Sequence, residues 1–277
     1  MKLSFSTLAC PDWKFPEIIA IASASGYDGI ELRFVENEDS LWKLSTFRGK
    51  QLASTKRALS NQGLSIPCLD TSCRFHSPDP AERARWLDEG ERMADLAYAL
   101  SAPGLRVFGD TVQPGADRDS TRTWIADCMH ILADRITSSG VEVWLETHGD
   151  FAGASETASI LAEAGSLRVG VVWDPANCFI ESNEQPQVGA STLGARIRHV
   201  HCKDLIRNQS GWKPVLTGSG NFPLAQIQSA LRQLSYDRFL SFEWEKKWHP
   251  EIEDARVALP QFVNWFRENW TEENSRP

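Results

Sequence analysis

Four segments of the sequence end in a residue that can bind a metal ion. Each segment is a short apolar run, and the residues at the ends are Glu146, Asp174, His201 and Glu243. A buried strand that ends in such a side chain is typical of the rim of a parallel sheet, where α/β proteins carry their chemistry. A single Glu at a strand end is usually a helix cap or a surface charge, but four such residues together predict one divalent metal site.

The types of these four ligands narrow the choice of metal. Three carboxylates and one imidazole form a hard, oxygen-rich set, unlike the Cys/His sites of structural zinc. The set therefore favours Mn²⁺ or Mg²⁺, with Co²⁺ and Zn²⁺ as alternatives.

The four ligands are far apart in the sequence, so the fold has to bring them together. Strand-like and helix-like stretches alternate along the chain. The predicted strands are residues 2–6, 29–34, 64–69, 105–108, 141–148, 168–173, 197–202 and 238–243. Eight strands separated by helices predict an α/β fold that is a single (β/α)8 TIM barrel, in which the ends of strands five to eight meet. A doubly wound sheet is the competitor, but no Gly-rich phosphate turn follows the first strand.

Helical periodicity and capping residues place the connecting helices. The predicted helices are residues 16–25, 49–62, 80–101, 118–139, 155–164 with Ser155 as N-cap, 187–195, 223–234 and 255–268. Residues 205–222 are predicted to form a long polar loop. The sequence shows no linker or shift in composition, so we expect one domain over residues 1–270 and a polar tail at 271–277.

Composition excludes several classes of protein. The 277-residue chain has a formal net charge of -8, which argues against a nucleic-acid partner. No run approaches the roughly 18 apolar residues of a membrane span, and no signal peptide is predicted. The six cysteines form no CxxC pair and are typical of reduced thiols, so we expect a cytoplasmic protein. A homo-oligomer is left open.

Several motifs resemble those of a known superfamily. They are Gly26-Tyr-Asp-Gly-Ile-Glu-Leu-Arg, Leu145-Glu-Thr-His, Trp173-Asp-Pro, His199-Val-His-Cys-Lys-Asp, Gly218-Ser-Gly and Phe242-Glu-Trp-Glu. In these the sequence resembles the xylose isomerase-like TIM-barrel superfamily, in its sugar phosphate isomerase/epimerase branch. The resemblance covers nearly the whole chain. Its motifs are specific for the superfamily and the metal, and weak for the substrate.

The resemblance implies roles for particular residues. In keto-sugar epimerases of this superfamily, the carboxylates at the positions of Glu146 and Glu243 bind the metal and also move protons. Arg207 lies at the offset from His201 where those epimerases use a substrate-binding Arg, although a surface Arg is an equal alternative. Asn177 stands where they carry a His. Asn can hydrogen-bond a hydroxyl but cannot act as a general acid.

Further residues near the predicted rim are candidates for substrate binding. His148 follows Glu146 and either faces the substrate or caps the next turn. Lys203 points near the site or forms a salt bridge. Arg74 and His76 follow the third strand, and the Arg is a candidate clamp for a carboxylate or phosphate. Trp248, after the eighth strand, is a candidate wall for a sugar ring.

The sequence leaves three functions open. The first is a metal-dependent isomerase or epimerase of a small keto-sugar or sugar derivative, working by proton transfer through an enediolate. The alternative is a lyase that uses the same metal and carboxylate pair for dehydration, decarboxylation or cleavage of a sugar substituent. The last is a sugar-binding barrel without catalysis. The related apurinic-site endonucleases use extra His ligands, and Asn177 removes one of them.

Overall fold

A computed structural model describes residues 1–209 and 211–270, and the predicted tail at 271–277 lies outside the described residues. Eight strands form the main sheet, and two more form a separate hairpin. They are β1 (Lys2–Ser6), β2 (Gly29–Glu31), β3 (Leu69–Arg74), β4 (Gly104–Phe108), β5 (Glu142–Glu146), β6 (Val169–Trp173), β7 (Ile197–Cys202), β8 (Asp204–Asn208), β9 (Gly211–Val215) and β10 (Phe239–Phe242). Strands β8 and β9 are the hairpin.

All pairs in the main sheet are parallel, in the spatial order β2-β1-β10-β7-β6-β5-β4-β3. Backbone hydrogen bonds join its two ends. The N–H of Ile30 donates to the carbonyl of Ser65 at 2.9 Å, and the N–H of Leu32 donates to that of Cys68 at 3.1 Å. The predicted (β/α)8 barrel is confirmed.

Nine α-helices connect the strands within the described ranges. They are α1 (Phe15–Ser25), α2 (Gly49–Asn61), α3 (Pro80–Leu100), α4 (Arg118–Arg135), α5 (Ala154–Ala164), α6 (Pro175–Ser182), α7 (Pro186–Leu193), α8 (Leu224–Gln233) and α9 (Ala255–Asn269). Pro at the first turn of α3 and α6 costs no hydrogen bond. No helix in these ranges is both long and apolar enough to cross a bilayer.

The apolar side chains of strands and helices form one large core cluster. Three tryptophans, Trp144, Trp173 and Trp244, are almost completely buried in the protein. The indole N–H of Trp244 donates to the carbonyl of Glu253 at 2.9 Å, which satisfies its one polar atom. Six partly buried tryptophans pack against the core cluster, namely Trp13, Trp42, Trp86, Trp212, Trp265 and Trp270. Nine of the eleven Trp side chains therefore serve packing.

Three local predictions are wrong. Residues 205–222 are not a simple loop, because β8 and β9 pair within them; residues 206–208 are exposed, so no alternating apolar pattern reveals the first strand. The third strand is Leu69–Arg74 rather than 64–69. Four of its six residues are polar, so an apolar pattern does not mark it. The N-cap of α5 is Gly153, not Ser155. Helix α6 was not predicted.

Candidate functional site

The four predicted ligands meet at the C-terminal end of the barrel. One ligand atom from each of Glu146, Asp174, His201 and Glu243 lies within 4.8 Å of the other three. The Nδ1 atom of His201 is 3.7 Å from Glu146 Oε1, 3.6 Å from Asp174 Oδ2 and 3.4 Å from Glu243 Oε1. Ligand atoms that share one ion at about 2.0–2.6 Å lie roughly 3–4 Å apart, so this spacing fits a single metal.

The strand ends orient the acidic side chains of this cluster. Asp174 follows β6 and caps α6, where its Oδ1 accepts the N–H groups of Ala176 and Asn177 at 2.8 and 2.9 Å. Its second oxygen, Oδ2, is left facing His201. The backbone N–H of Asp174 donates to Thr147 Oγ1 at 2.8 Å, which ties the end of β6 to the residue after β5.

A buried carboxylate orients the imidazole ligand. Glu31 Oε1 lies 2.8 Å from His201 Nε2, and its other oxygen lies 2.9 Å from His199 Nε2. A carboxylate on one ring nitrogen fixes the tautomer and turns the other nitrogen toward a metal. Within the described residues, His201 Nδ1 has no hydrogen-bond partner although it is buried. That orphaned nitrogen among three carboxylates is the observation that fits a cation.

The charges around the cluster also fit a divalent ion. Lys203 Nζ contacts Asp174 Oδ2 at 2.9 Å, Glu243 Oε2 at 2.6 Å and Glu245 Oε1 at 2.6 Å, and Arg106 contacts Glu146 Oε2 at 2.8 Å. Two cations thus face five carboxylates, counting Asp70 at 3.5 Å from Arg106, so acidic groups are in excess around the cluster. Although burial lowers the pKa of a lysine, these carboxylates raise the pKa of Lys203, so its side chain is positively charged at neutral pH.

Two members of the cluster, Glu146 and Glu243, line a cavity of about 200 Å³. Five of the predicted substrate-binding residues line it, namely Arg74, His148, Asn177, Lys203 and Trp248. The Nδ2 atom of Asn177 donates to the carbonyl of Thr147 at 3.2 Å and is 3.4 Å from Glu146 Oε1. The volume suits a small molecule rather than a polymer.

Two predicted residues lie away from the cavity wall. His76 is buried beside it, where its Nδ1 accepts the backbone N–H of Thr111 at 3.0 Å. Arg207 is exposed on β8, with its guanidinium 5.9 Å from the ring centre of Trp212. The structure does not place Arg207 in the wall of the cavity, because the hairpin carries this side chain outward.

Sequence reasoning did not assign several residues that line the cavity. They are Leu8, Arg33, Arg106, Phe108, Asp110 and Glu245. Arg106 was detectable as a charged residue inside the apolar segment of β4. Asp110 follows that strand with a positive φ of 61°, and it contacts Arg74 at 3.0 Å and His148 at 3.2 Å. Phe108 ends the predicted fourth strand, and Glu245 is the last residue of the motif Phe242-Glu-Trp-Glu, so their positions were the available signal.

The geometry agrees with a comparison against protein families. The model of the xylose isomerase-like TIM barrel family matches residues 19–268. The chain belongs to this family. No curated protein matches its sequence.

Several solved structures share the fold of this xylose isomerase-like barrel. The probable 3-DHS dehydratase AsbF of Bacillus anthracis, involved in petrobactin synthesis, is 19% identical with a TM-score of 0.78, over 96% of this chain and 99% of that chain. The D-allulose 3-epimerase of Methylomonas sp., in complex with D-allulose, is 22% identical with a TM-score of 0.76, over 97% and 96%. The 3-keto-D-glucoside 4-epimerase YcjR of E. coli is 17% identical with a TM-score of 0.77, over 97% and 99%.

Proposed function

We propose that this protein is a metal-dependent sugar isomerase or epimerase that moves a proton next to the carbonyl of a small keto-sugar or sugar derivative. The observation that carries the proposal is that Glu146 and Glu243, which line the cavity, converge with Asp174 and His201. Membership of the xylose isomerase-like family and the fold shared with sugar epimerases support it.

The four clustered residues would hold one divalent ion, and Mn²⁺ or Mg²⁺ suits their oxygen-rich chemistry. When bound, such an ion polarises a substrate carbonyl and hydroxyl and makes the α-proton acidic. The cytoplasmic location stays a prediction, and the question of a homo-oligomer stays open.

The two Glu residues are suited to take and return that proton. Without a bound ion, burial raises the pKa of Glu243 to about 7, although Lys203 and His201 oppose this shift. A bound divalent ion would favour the charged form of this carboxylate, which is the form that accepts a proton. Arg106 holds Glu146 at 2.8 Å, which fixes the orientation of the second carboxylate. One Glu accepts the α-proton, and the other donates a proton of its own to the opposite face of the enediolate. Each turnover therefore leaves the first Glu protonated and the second ionised.

The test is to incubate Mn²⁺-loaded protein with a panel of keto-sugars in D₂O and follow the carbon adjacent to the carbonyl by NMR. Deuterium at that carbon, in a product that is an isomer of the substrate, is the expected result. Tight binding without any exchange would instead support the sugar-binding barrel that lacks catalysis.

A lyase is the second candidate, and one observation favours it. Asn177 cannot donate a proton as an acid, yet His148 lines the cavity with its Nδ1 atom 3.2 Å from Asp110 Oδ1. Burial lowers the pKa of His148, but the contact with Asp110 raises it above its usual value. A protonated His there would supply a leaving group with its proton. Release of water, CO₂ or an aglycone in the same NMR experiment would support the lyase.

A further inference from the structure

One cation in the cavity wall has an unused donor. The side chain of Arg33, just beyond β2, is 6% exposed and lines the cavity. Its NH2 group donates to Ser72 Oγ at 2.9 Å, but its buried NH1 group has no hydrogen-bond partner within the described residues. Its ion-pair partner, Asp39 Oδ2, is 4.0 Å away and already accepts the hydroxyl of Ser72 at 2.6 Å.

The other cations that line the cavity are held by closer carboxylates. Arg74 contacts Asp110 at 3.0 Å, Arg106 contacts Glu146 at 2.8 Å, and Lys203 has carboxylate oxygens at 2.6 to 2.9 Å. Burial lowers the pKa of Arg33 to about 10, helped by the like charge of Arg106. Arg33 is therefore still charged at neutral pH. A buried cation with an unsatisfied N–H is costly to keep.

An aromatic surface holds Arg33 in place. Its guanidinium carbon lies 4.4 Å from the ring centre of Phe34, and that ring meets Trp248 edge-to-face at 5.9 Å. Trp248 lines the same cavity. Arg33 and Trp248 therefore share this cavity with Glu146 and Glu243, and a substrate in it would contact both pairs.

We propose that Arg33 binds a carboxylate of the substrate, so that the substrate is a keto-sugar acid rather than a neutral sugar. This assignment rests on the proposed function, because it places the reacting carbonyl at Glu146 and Glu243. The free NH1 group and the remaining N–H of NH2 present a planar fork that matches a carboxylate. The guanidinium carries one positive charge, and its closest carboxylate, Asp39, is 4.0 Å away. This single charge suits a monoanion better than a phosphate dianion.

The test compares three ligands of matched carbon skeleton by calorimetric titration of the Mn²⁺-loaded protein. They are D-fructose, its C6 acid D-fructuronate, and D-fructose 6-phosphate. We expect the acid to bind at least about tenfold more tightly than the neutral sugar, as for a charge-assisted hydrogen bond of about 1.5–3 kcal/mol. The preference should fall to near unity in Arg33→Gln. The control, Arg57→Gln, removes an exposed arginine of α2 and should keep the preference.

Three results would overturn this assignment. They are a ratio near unity in the natural protein, no binding of the acid, and a preference that survives Arg33→Gln. If D-fructose 6-phosphate binds more tightly than the acid and this preference is lost in Arg33→Gln, Arg33 binds a phosphate of the substrate and not a carboxylate. A retained preference for the acid without any α-proton exchange would defeat the proposed reaction and leave the assignment of Arg33 intact.

Thermal unfolding of Arg33→Met gives a readout that needs no ligand. A buried arginine that serves to bind a charged ligand lowers the stability of the ligand-free protein. We therefore expect the unfolding temperature of Arg33→Met to stay within about 2 °C of that of the natural protein or to rise. A fall of more than about 5 °C, together with an unchanged ligand preference, would make Arg33 a structural residue and overturn the proposal.

Discussion

At the scale of single residues, the two carboxylates at the ends of β5 and β10 are the sharpest test of the proposed chemistry. Glu146→Gln or Glu243→Gln keeps the size of the side chain but removes a group that accepts a proton. We expect turnover to fall by about 10²–10⁴-fold while unfolding stays cooperative. Steady-state kinetics with saturating Mn²⁺ and a thermal melt measure the two properties.

The matched control for these variants is Glu268→Gln, which changes an exposed Glu on α9 and should leave turnover unchanged. Unchanged turnover in both Glu146→Gln and Glu243→Gln would refute their role as proton carriers.

A second residue, His76, predicts a pH dependence of stability. Burial lowers the pKa of His76, and its Nδ1 accepts the N–H of Thr111 only when that nitrogen is unprotonated. Because the folded-state pKa lies below the unfolded value of about 6.5, the contribution of His76 is complete above that pH. It is lost as the pH falls through the lowered folded-state pKa.

The variant His76→Asn keeps an acceptor for Thr111 but cannot titrate. We expect its free energy of unfolding, measured by urea denaturation, to fall less than that of the natural protein between about pH 6.5 and 5. His130→Asn, at a half-exposed position on α4, is the control. Parallel pH profiles for His76→Asn and the natural protein would count against this account.

At the scale of elements, one carboxylate anchors the hairpin that follows β7. Asp204 Oδ1 accepts the N–H of Leu205 at 2.8 Å, and Oδ2 accepts those of Gly218 and Gly220 at 2.8 and 2.9 Å. Asp204→Ala leaves these donors without a partner, and we expect a loss of on the order of 2 kcal/mol in the free energy of unfolding. Amide exchange at the two glycines should also accelerate.

The control for this element is Asp237→Ala, which removes an exposed carboxylate near β10. Chemical denaturation measures the free energy of unfolding of both variants. Equal stability of Asp204→Ala and the control would show that the hairpin does not depend on this anchor. The residue lies next to Lys203, so a loosened hairpin should also weaken substrate binding.

At the scale of the whole molecule, a bound metal should stabilise the barrel, because the unfolded chain has no site that gathers four distant residues. At a free concentration one hundred times Kd, the gain is about 2.7 kcal/mol. We expect Mn²⁺ to raise the unfolding temperature, and the chelator EDTA to reverse the rise. His201→Ala should abolish this effect and His130→Ala should keep it.

Metal analysis of the same protein should find one divalent ion per chain. Two or three zinc ions per chain would contradict the single site and revive the endonuclease class. An unfolding temperature that is indifferent to Mn²⁺ and EDTA would argue that the cluster of Glu146, Asp174, His201 and Glu243 is not a metal site.

The order of the barrel strands and the four clustered residues could be predicted from the local pattern of apolar residues. Each of these residues ends or follows an apolar run, and parallel strands bring such ends to one face of a barrel. The hairpin of β8 and β9 could not be predicted, because its exposed residues lack the alternation of apolar and polar residues that marks a half-buried strand. Helix α6 was missed even though Asp174 and Pro175 are a suitable N-cap and first residue.

The sequence by itself determined the barrel and the residues at its rim, because apolar periodicity and strand ends are local properties of the chain. Only the tertiary structure decided which charges are paired. Arg106 meets Glu146 across neighbouring strands, and Lys203 meets three carboxylates, whereas the NH1 group of Arg33 has no hydrogen-bond partner among the described residues. Ion pairing depends on distances of a few ångströms between segments that are far apart in the sequence. The spacing of residues along the chain does not determine these distances.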